Sequence, residues 1–342
     1  MSGIQDRKKD HVELTVTDQT QYAIPAGFSD YGFIHNALPE VNVNEVSTEV
    51  KFLDRTFAYP LFISSMTGGY AGSEAVNAII AEFCEQNRLP FGVGSQRAML
   101  EYPEETQSFS IVREKAPNTF IAANIGGAQL IGGLEADKID RLISSIQADA
   151  IIVHLNPLQE LMQPEGDRNF IGIKKGIEDL LGEVSIPVIV KETGAGISRE
   201  VASFLIEVGV KVIDVAGAGG TSWAKVENER NSNTKPLPEF NNWGLPTVKA
   251  IQDVAELKWE NSFELIASGG IRNAFDTAKA LCMGSNMVAM AQPIIKAIHK
   301  GGINELQSFY EQEVLNMRYI MTLLGCTYVH ELSSSHIYKI QK

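Results

Sequence analysis

Residues 151–170 read IIVHLNPLQELMQPEGDRNF. A short apolar run ends at His154, and the polar residues Gln159 and Glu160 follow it closely. An apolar run without alternation is typical of a strand in a parallel sheet that is covered on both faces. A histidine and a polar loop at the end of such a strand indicate a site at the carboxyl end of the sheet.

The same kind of short apolar run recurs along the chain. The runs are LFISSM (61–66), FGVGS (91–95), FIAANI (120–125), AIIVHL (150–155), VIVKET (188–193), VIDVAG (212–217), LIASGG (265–270) and MVAMAQ (287–292). Helical patterns lie between them, such as SREVASFLIEVG (198–209), where Ser198 is a predicted N-cap and Gly209 a predicted C-terminal glycine. Strands alternating with helices in this way predict an α/β protein with a (β/α)8 TIM barrel. A doubly wound sheet is the alternative, but it usually has a glycine-rich turn after its first strand.

Several segments fall outside the simple repeat. Residues 1–60 form an N-terminal extension, and residues 61–342 form the predicted barrel domain, which ends in a closing helix within 302–325. The loops after the fourth and sixth strands, residues 156–172 and 221–245, are long. Long loops without secondary structure in a compact domain are usually lids or binding loops, so we expect both to serve the site.

The composition excludes several classes of function. A net charge of −13 and a pI of about 5.0 argue against general binding to nucleic acid or to anionic membranes. No apolar run approaches the roughly 20 residues of a membrane span, and the N-terminus has no signal-peptide pattern. The three cysteines, Cys84, Cys282 and Cys326, are far apart, so we expect neither a disulfide framework nor a zinc site. A cytoplasmic protein is the natural expectation.

Each predicted strand ends in polar or glycine-rich residues, where a barrel handles its ligands. The endings are Met66–Gly69, Gly94–Arg97, Asn124, His154, Lys191, Gly217–Thr221, Ser268–Arg272 and Ala289–Gln292. A glycine pair after one strand is usually only a turn. The glycine-rich sixth and seventh endings and the adjacent eighth ending together favour a phosphate cradle, because backbone N–H groups at a helix start bind phosphate.

Some of the charged and polar side chains have ordinary explanations as well. Lys191 within an apolar strand is costly to bury unless it is paired or used, but a lysine can also extend to the surface. Asn124 fits either a site or a satisfied core amide. Arg7, Lys8 and His11 fit either a ligand site or a solvated N-terminal face.

The fourth strand ending has the same ambiguity. A histidine such as His154 is more often packed in a core than catalytic, so its functional interpretation depends on Gln159 and Glu160 nearby. Gln159 is too weak for a general base but can orient or relay a proton. Glu160 fits either a solvated carboxylate or a Mg²⁺ ligand, since Mg²⁺ typically takes one or two carboxylates together with substrate phosphates.

Motifs that follow one another along nearly the whole chain resemble those of the type 2, flavin-dependent isopentenyl-diphosphate delta-isomerases. They are R-K-x-x-H at 7–11, SSMTGG at 64–69, GSQR at 94–97, HLNPLQE at 154–160, VKETG at 190–194, GGTSWA at 219–224 and SGGIR at 268–272. The first and fourth motifs are specific to that family. SGGIR and the lysine of the fifth strand are shared with other FMN barrels.

The resemblance implies the reaction and its cofactors. Members interconvert isopentenyl diphosphate and dimethylallyl diphosphate in isoprenoid biosynthesis, with reduced FMN as acid and base, Mg²⁺ on the diphosphate, and NADPH as the usual reductant. They assemble as homotetramers or homo-octamers. Neither nucleic acid nor membrane is an expected partner.

The resemblance also assigns residues to roles. The implied cofactor-binding residues are Ser65, Met66, Thr67, Gly68, Ser95, Asn124, Lys191, Thr221, Gly269, Gly270, Arg272, Ala291 and Gln292. The implied substrate-binding residues are Arg7, Lys8, His11, Ser95, Arg97, Asn124, His154, Gln159 and Trp223, with Glu227 as a weaker member. Gln159 and His154 are the implied catalytic residues, and Glu160 is the implied metal ligand.

An FMN-dependent 2-hydroxy-acid oxidase or dehydrogenase is the main alternative, because it shares the barrel, the strand-five lysine and SGGIR. Such an enzyme needs a histidine base with an arginine nearby, in an H-G-G-R-Q-like stretch after the sixth strand. The chain has AGAGGTSWAK there, at 216–225, without a histidine. A non-catalytic flavin- or phosphate-binding barrel is a second alternative. The many polar strand endings argue against it.

Overall fold

The structure, a computed structural model, describes residues 3–230 and 235–341, and for residues 3–7 and 9 the backbone alone. Its strands are β1 (Tyr31–Phe33), β2 (Val50–Phe52), β3 (Arg55–Phe57), β4 (Leu61–Ile63), β5 (Phe91–Gly92), β6 (Ile121–Gly126), β7 (Ala150–Leu155), β8 (Val188–Glu192), β9 (Val212–Asp214), β10 (Glu264–Ser268), β11 (Met287–Met290) and β12 (Ile337–Lys339).

The α-helices alternate with the strands along most of the chain. They are α1 (Gly3–Val16), α2 (Ser73–Asn87), α3 (Arg97–Glu101), α4 (Gln107–Lys115), α5 (Ala136–Ser144), α6 (Pro157–Met162), α7 (Ile173–Glu183), α8 (Arg199–Glu207), α9 (Trp223–Arg230), α10 (Thr247–Ala255), α11 (Ala274–Cys282) and α12 (Gln292–Leu324).

Strands β4 to β11 pair in parallel with their neighbours along the chain and close into a barrel when β11 pairs with β4. Each of the eight predicted apolar runs overlaps one barrel strand, so the predicted (β/α)8 fold is confirmed. The strands are apolar along their length because side chains on one face fill the barrel and those on the other pack against helices. This closure brings all eight carboxyl ends to one face.

The opposite end of the barrel is plugged by a hairpin. Strands β2 and β3 pair antiparallel, and Phe52 and Phe57 pack against Phe120 with ring centroids 6.5 and 6.1 Å apart. Residues 46–53 of the N-terminal extension, VSTEVKFL, supply β2. With this end filled by apolar side chains, a ligand site is left to the carboxyl face.

Helix ends follow the signals read from the sequence. The Ser198 hydroxyl accepts a hydrogen bond from the Val201 N–H at the start of α8, and Gly209 follows the helix with a φ of 100°. A positive φ is easily adopted by glycine and strained for other residues. Helix α12 ends before Gly325 as predicted, and its backbone breaks at Gly301 and Gly302, where the predicted closing helix begins.

The fourth and sixth loops are long, as predicted, but they are not without secondary structure. Each begins with a helix, α6 or α9, and the two helices pack against each other. Helix α6 begins at Pro157, a residue suited to a first helical position, and buried Ala224 and Val226 anchor α9. Residues 231–234 of the sixth loop lie outside the described residues.

The N-terminal extension crosses the carboxyl face of this chain's own barrel. Helix α1 contacts α9 and α12, and β1 pairs antiparallel with β12 near the C-terminus. The three cysteines are buried and carry free thiols. Among the described helices, none combines the length and the apolar character that crossing a membrane requires.

Candidate active site

Two adjoining cavities occupy the carboxyl face of the barrel. The first is bordered by the ends of β4, β8, β9, β10 and β11, and the second by the ends of β4 to β7. His11, Met66 and Trp223 line both cavities and so form their common wall. Helix α1 lies over this boundary, and a ligand in one cavity would therefore face a ligand in the other.

The two cavities separate the residue sets that the sequence assigned to cofactor and substrate. The first is lined by Ser65, Met66, Lys191, Thr221, Gly269, Gly270, Arg272, Ala291 and Gln292 of the cofactor set. The second is lined by Lys8, His11, Ser95, Arg97, His154, Gln159 and Trp223 of the substrate set and by Glu160. Gly68 and Ser95 of the cofactor set line the second cavity instead, and Thr67 and Asn124 lie behind the walls.

The floor of the first cavity is a cradle of backbone that only glycine permits. A Cβ atom on Gly269 would lie 2.0 Å from the Gly217 carbonyl oxygen, and one on Gly220 would lie 2.6 Å from the Gly270 nitrogen. Gly269 and Gly270 also have positive φ values of 99° and 72°. The loops after β9 and β10 are thus in backbone contact, and α11 begins directly behind them, as a phosphate cradle requires.

Lys191 reaches the first cavity at the level of two neighbouring strand ends. In the barrel register, His154 is paired with Lys191 and Lys191 with Asp214. The Lys191 Nζ donates to the Glu192 carbonyl oxygen at 2.6 Å and lies 3.8 Å from Asp214 Oδ2. A buried ammonium with one buried counter-ion places a fixed positive charge in the cavity.

Asp214 and Glu192 complete this charged layer. Asp214 accepts a hydrogen bond from the Ser268 hydroxyl at 2.5 Å, and burial raises the pKa of its carboxyl against the opposing effect of Lys191. Burial also raises the pKa of Glu192 to about 7, although three backbone N–H groups, of Gly194, Ala195 and Gly196, donate to it. These carboxyls fix Lys191 and the turn that follows β8.

The wall from β4 contains a buried hydroxyl that no described residue satisfies. Ser65 Oγ has no hydrogen-bond partner within residues 3–230 and 235–341, and Ser65 lines the first cavity. Buried polar atoms normally have partners, so this atom indicates a ligand. Thr67 differs, since its hydroxyl donates to Asn77 Oδ1 at 2.5 Å and so turns away from the cavity.

The far end of the first cavity collects hydrogen-bond donors. Arg272 and Thr221 line it beside the glycine cradle, and burial lowers the pKa of the Arg272 guanidinium. Gln292 follows Ala291 at the start of α12, and its side-chain amide donates to the Thr15 and Thr17 carbonyl oxygens at 2.9 and 3.1 Å. Donors at this end suit a phosphate group.

His154 lies at the back of the second cavity as a neutral imidazole. Burial lowers its pKa to about 3, and the charges of Lys191 and Lys8 act in the same direction. Its Nδ1 is 2.7 Å from Asn124 Oδ1, and the Asn124 Nδ2 donates to the Val93 carbonyl oxygen at 2.9 Å. Asn124 therefore orients His154 from behind the cavity wall.

Glu160 presents its carboxylate to the second cavity in a fixed orientation. The Asn156 Nδ2 donates to Oε1 at 2.9 Å, and the Asp167 N–H donates to Oε2 at 2.8 Å. Asn156 Nδ2 also donates to Gln159 Oε1 at 3.1 Å, so one amide holds both side chains. No group of three or more His, Cys, Asp and Glu residues suited to a metal occurs in the described part of the chain. Glu160 therefore fits Mg²⁺ only where a diphosphate and water supply the other ligands.

The cations of the second cavity are held by different partners. Lys8 Nζ donates to the Gly68 and Ser95 carbonyl oxygens at 2.6 and 3.0 Å. Arg97 is bound by Glu101 at 2.7 Å and faces Asp167 at 3.8 Å. The side chain of Arg7, which the sequence also assigned to the substrate, lies outside the described residues.

Helix α1 is fastened to the sixth loop by a buried carboxylate. His11 Nε2 lies 2.7 Å from Glu227 Oε1, and the His11 ring meets Trp223 edge-on with centroids 5.0 Å apart. Glu227 also accepts hydrogen bonds from Gln163 and Arg230, both at 2.9 Å. The bonds from His11 and Arg230 lower the pKa of Glu227 against the effect of burial, so its carboxylate stays charged.

Sequence reasoning missed several of these residues. Asp214 could have been found by the signal that singled out Lys191, a charge inside an apolar strand. Gln163 and Arg230 gave no such signal, because their importance depends on the packing of α6 against α9. Ala216 has a φ of 37° where it lines the first cavity, and backbone strain of that kind cannot be read from the sequence.

Comparisons with known proteins agree with this architecture. A family model described as FMN-dependent dehydrogenase matches residues 158–339. The flavin-binding domain of baker's yeast flavocytochrome b2 superimposes with a TM-score of 0.72 at 18% identity, over 94% of this chain and 79% of that one. A mandelate oxidase mutant superimposes with a TM-score of 0.63 at 15% identity, over 96% and 91% of the two chains. At such identities, the structural matches establish the fold alone.

Similarity in sequence is closer to another group of proteins. The isopentenyl-diphosphate delta-isomerase of Chlorobaculum parvum is 40% identical over 98% of this chain and 97% of its own length. That of Chlorobium limicola is 41% identical over 97% and 95% of the two chains. That of Rickettsia canadensis is 40% identical over 86% of each chain.

Proposed function

The chain belongs to the isopentenyl-diphosphate delta-isomerase family and is an isomerase, and we propose that it works with reduced FMN and Mg²⁺. In this proposal it interconverts isopentenyl diphosphate and dimethylallyl diphosphate by adding a proton to one carbon and removing one from another. Reduced FMN is the acid and base, and Mg²⁺ holds the diphosphate.

One observation carries the proposal. The cavity with the glycine cradle and the cavity with the cations and Glu160 share the wall formed by His11, Met66 and Trp223. A reaction between a flavin and a diphosphate-bearing alkene needs both ligands in contact. The barrel supplies two neighbouring cavities of matching chemistry on its carboxyl face.

The first cavity fits FMN in its chemistry. The unsatisfied Ser65 hydroxyl, the glycine cradle and the donors of Arg272 and Thr221 are suited to a group with a polar ring system and a phosphate. When bound, reduced FMN supplies an electron-rich ring with a nitrogen that exchanges protons. Lys191, held by Asp214, would stabilise negative charge on the bound cofactor.

The second cavity binds and orients the diphosphate. Lys8 and Arg97 offer charge-assisted hydrogen bonds to phosphate oxygens, which are among the stronger hydrogen bonds in proteins. The Glu160 carboxylate, held by Asn156 and the Asp167 N–H, would hold Mg²⁺ in this cavity together with the diphosphate. Fixing the diphosphate in this way fixes the alkene relative to the common wall.

His154 and Gln159 have separate tasks in this proposal. The neutral His154 offers a polar atom to the substrate without a competing positive charge. Gln159 is nearly buried, and its Oε1 is held by Asn156, so its amide is in a fixed position to orient a proton. Trp223 and Met66 exclude water from the common wall, as a reaction with a carbocation-like transition state requires.

The remaining parts of the proposal rest on the family resemblance. We include NADPH as the reductant, a homotetramer or homo-octamer as the assembly, and the cytoplasm as the compartment. A 2-hydroxy-acid oxidase is disfavoured because the sixth strand ending, residues 216–225, offers no histidine base.

Substitution of Gln159 tests the division between the two cavities. Gln159→Asn shortens the side chain by one methylene in the second cavity and leaves the first untouched. We expect a large loss of isomerisation while FMN binds as in the unsubstituted protein, measured by flavin absorbance after gel filtration. Unchanged turnover would remove Gln159 from the proton path.

A further inference from the structure

The connector between α1 and the barrel, residues 17–22, contacts the phosphate end of the first cavity. The Gln21 side chain makes both of its polar contacts there. Its Nε2 donates to Thr221 Oγ1 at 3.2 Å, and its Oε1 accepts from Arg272 Nη2 at 2.5 Å. The Tyr22 N–H also donates to the Gly220 carbonyl oxygen at 2.8 Å, so the connector is bound to the cradle itself.

The other end of the connector carries the helix that covers the second cavity. Helix α1 ends at Val16 and presents Lys8 and His11 to that cavity. Thr17 and Thr20 bind back to the Leu14 carbonyl oxygen at 2.8 and 3.2 Å, which ties the connector to the last turn of the helix. The connector therefore joins Gln21 to the helix that bears Lys8.

The hydrogen bonds of Gln21 leave its two partners free to bind phosphate. Thr221 Oγ1 accepts from Gln21, so its own O–H remains available as a donor. Arg272 gives Gln21 one of the several N–H groups of its guanidinium, and the others remain. Gln21 thus orients Thr221 and Arg272 at the phosphate end, and both still have hydrogen-bond donors for a phosphate.

We propose that Gln21 is a positioning residue that couples the two cavities, so that FMN and the diphosphate substrate raise each other's affinity. This inference rests on the proposed function, because it takes FMN and an allylic or homoallylic diphosphate as the two ligands. Thr221 and Arg272 would bind the flavin phosphate, Gln21 joins both residues to the connector, and the connector positions α1 over the second cavity. By thermodynamic linkage, the substrate tightens FMN binding by the same factor.

The coupling is measured on oxidised enzyme, where no turnover occurs. The Kd of FMN is determined by quenching of flavin fluorescence, with and without saturating isopentenyl diphosphate and Mg²⁺. We expect the substrate to lower this Kd by at least about five-fold, the lower end of common couplings between sites. In Gln21→Met, which keeps the length of the side chain but has no amide, the two Kd values should be equal within about a factor of two.

Two further variants control the result. Asp18→Asn lies in the same connector and loses the exposed contact to Lys296 and a charge interaction with Arg272. It keeps both hydrogen bonds of the Gln21 side chain, so its coupling should match the unsubstituted protein. Gln21→Glu keeps an acceptor for Arg272, loses the donor to Thr221 and adds a negative charge beside the phosphate end. It should weaken FMN binding and abolish the coupling, which provides a second test if Gln21→Met folds poorly.

The outcomes separate this inference from the proposed function. Equal coupling in Gln21→Met and the unsubstituted protein would overturn the role of Gln21 while FMN binding and isomerisation stand. Loss of coupling in Asp18→Asn as well would assign the effect to the connector in general and would also overturn it. A protein that binds no FMN would contradict the proposed function itself, and this inference with it.

Discussion

Asn124 Oδ1 lies 2.7 Å from His154 Nδ1, and this contact fixes the tautomer of the histidine. The Asn124 Nδ2 is engaged by the Val93 carbonyl oxygen, so the amide oxygen faces the ring. An amide oxygen only accepts, and Nδ1 therefore carries the proton while Nε2 keeps a lone pair. Together with the lowered pKa, this makes His154 a neutral member of a cation-rich site.

The first prediction concerns acid stability. The pKa of His154 falls from 6.5 to about 3 on folding. Below pH 6.5 the unfolded chain binds a proton that the folded chain refuses, so the free energy of unfolding falls as the pH drops towards 3. We expect His154→Gln to remove a destabilisation of up to about 1.4 kcal/mol per pH unit in this window. Urea unfolding at pH 8 and pH 5 measures the free energy of unfolding at each pH.

The matched control is His35→Gln at an exposed histidine. This substitution should leave the difference in the free energy of unfolding between pH 8 and pH 5 the same as in the unsubstituted protein. If His154→Gln and His35→Gln behave alike, the assignment of a strongly lowered pKa to His154 is wrong.

The second prediction concerns the partner of Arg97. Glu101 binds the Arg97 guanidinium at 2.7 Å in a half-exposed pair, and a diphosphate must compete with it. Since such pairs contribute about 0–1 kcal/mol, Glu101→Gln should lower the KM for isopentenyl diphosphate by up to about five-fold, with kcat unchanged. Steady-state kinetics measure both constants, and Glu104→Gln, an exposed carboxylate three residues away, is the control. A raised KM in Glu101→Gln would show that Glu101 positions Arg97 rather than competing for it.

The third prediction concerns the metal. Glu160→Gln removes the carboxylate charge from the second cavity but keeps the size of the side chain. Loss of an outer-shell partner alone costs about 10- to 100-fold in metal affinity, so a first ligand should shift the Mg²⁺ titration of activity by at least about ten-fold. Asn156→Ala, which releases the carboxylate without neutralising it, should give a smaller shift. A titration identical to that of the unsubstituted protein would exclude Glu160 as a ligand.

The fourth prediction concerns a buried carboxyl that lines neither cavity. Glu313 on α12 is 3% exposed, no described residue donates to its Oε2, and burial raises its pKa to about 7. Between pH 4.5 and 7 the folded chain holds a proton that the unfolded chain releases, so the free energy of unfolding falls as the pH rises. Glu313→Gln should therefore stabilise the protein at pH 8, by about 1–3 kcal/mol, and change little at pH 4.5.

Chemical unfolding at the two pH values checks this effect of Glu313. Flavin binding and isomerisation should stay unchanged, because Glu313 lines neither cavity. Equal changes in stability at pH 4.5 and pH 8 would show that packing, and not ionisation, dominates at this position.

The barrel was predictable because its signals are local. Eight apolar runs, each followed by polar or glycine-rich residues, require no knowledge of distant contacts. The same holds for the caps at Ser198 and Gly325, where one residue fixes the end of a helix. The helices of the fourth and sixth loops were missed because α6 and α9 are short and are stabilised mainly by packing against each other.

The site was predictable in part. The cofactor and substrate sets were separated by motif, and the structure assigns most of their described members to different cavities. The layer of His154, Lys191 and Asp214 depends on register between strands, which the sequence does not specify residue by residue. The contacts of Gln21 join residues that are distant in the chain, and no local pattern could reveal them.

The most direct test of the proposed function is an anaerobic isomerisation assay with FMN, NADPH and Mg²⁺, each omitted in turn. We expect isopentenyl diphosphate to be converted to dimethylallyl diphosphate only when all three are present, with no net consumption of NADPH beyond the amount that reduces the flavin. Full conversion without FMN, or oxidation of lactate or glycolate in place of isomerisation, would contradict the assignment of the two cavities.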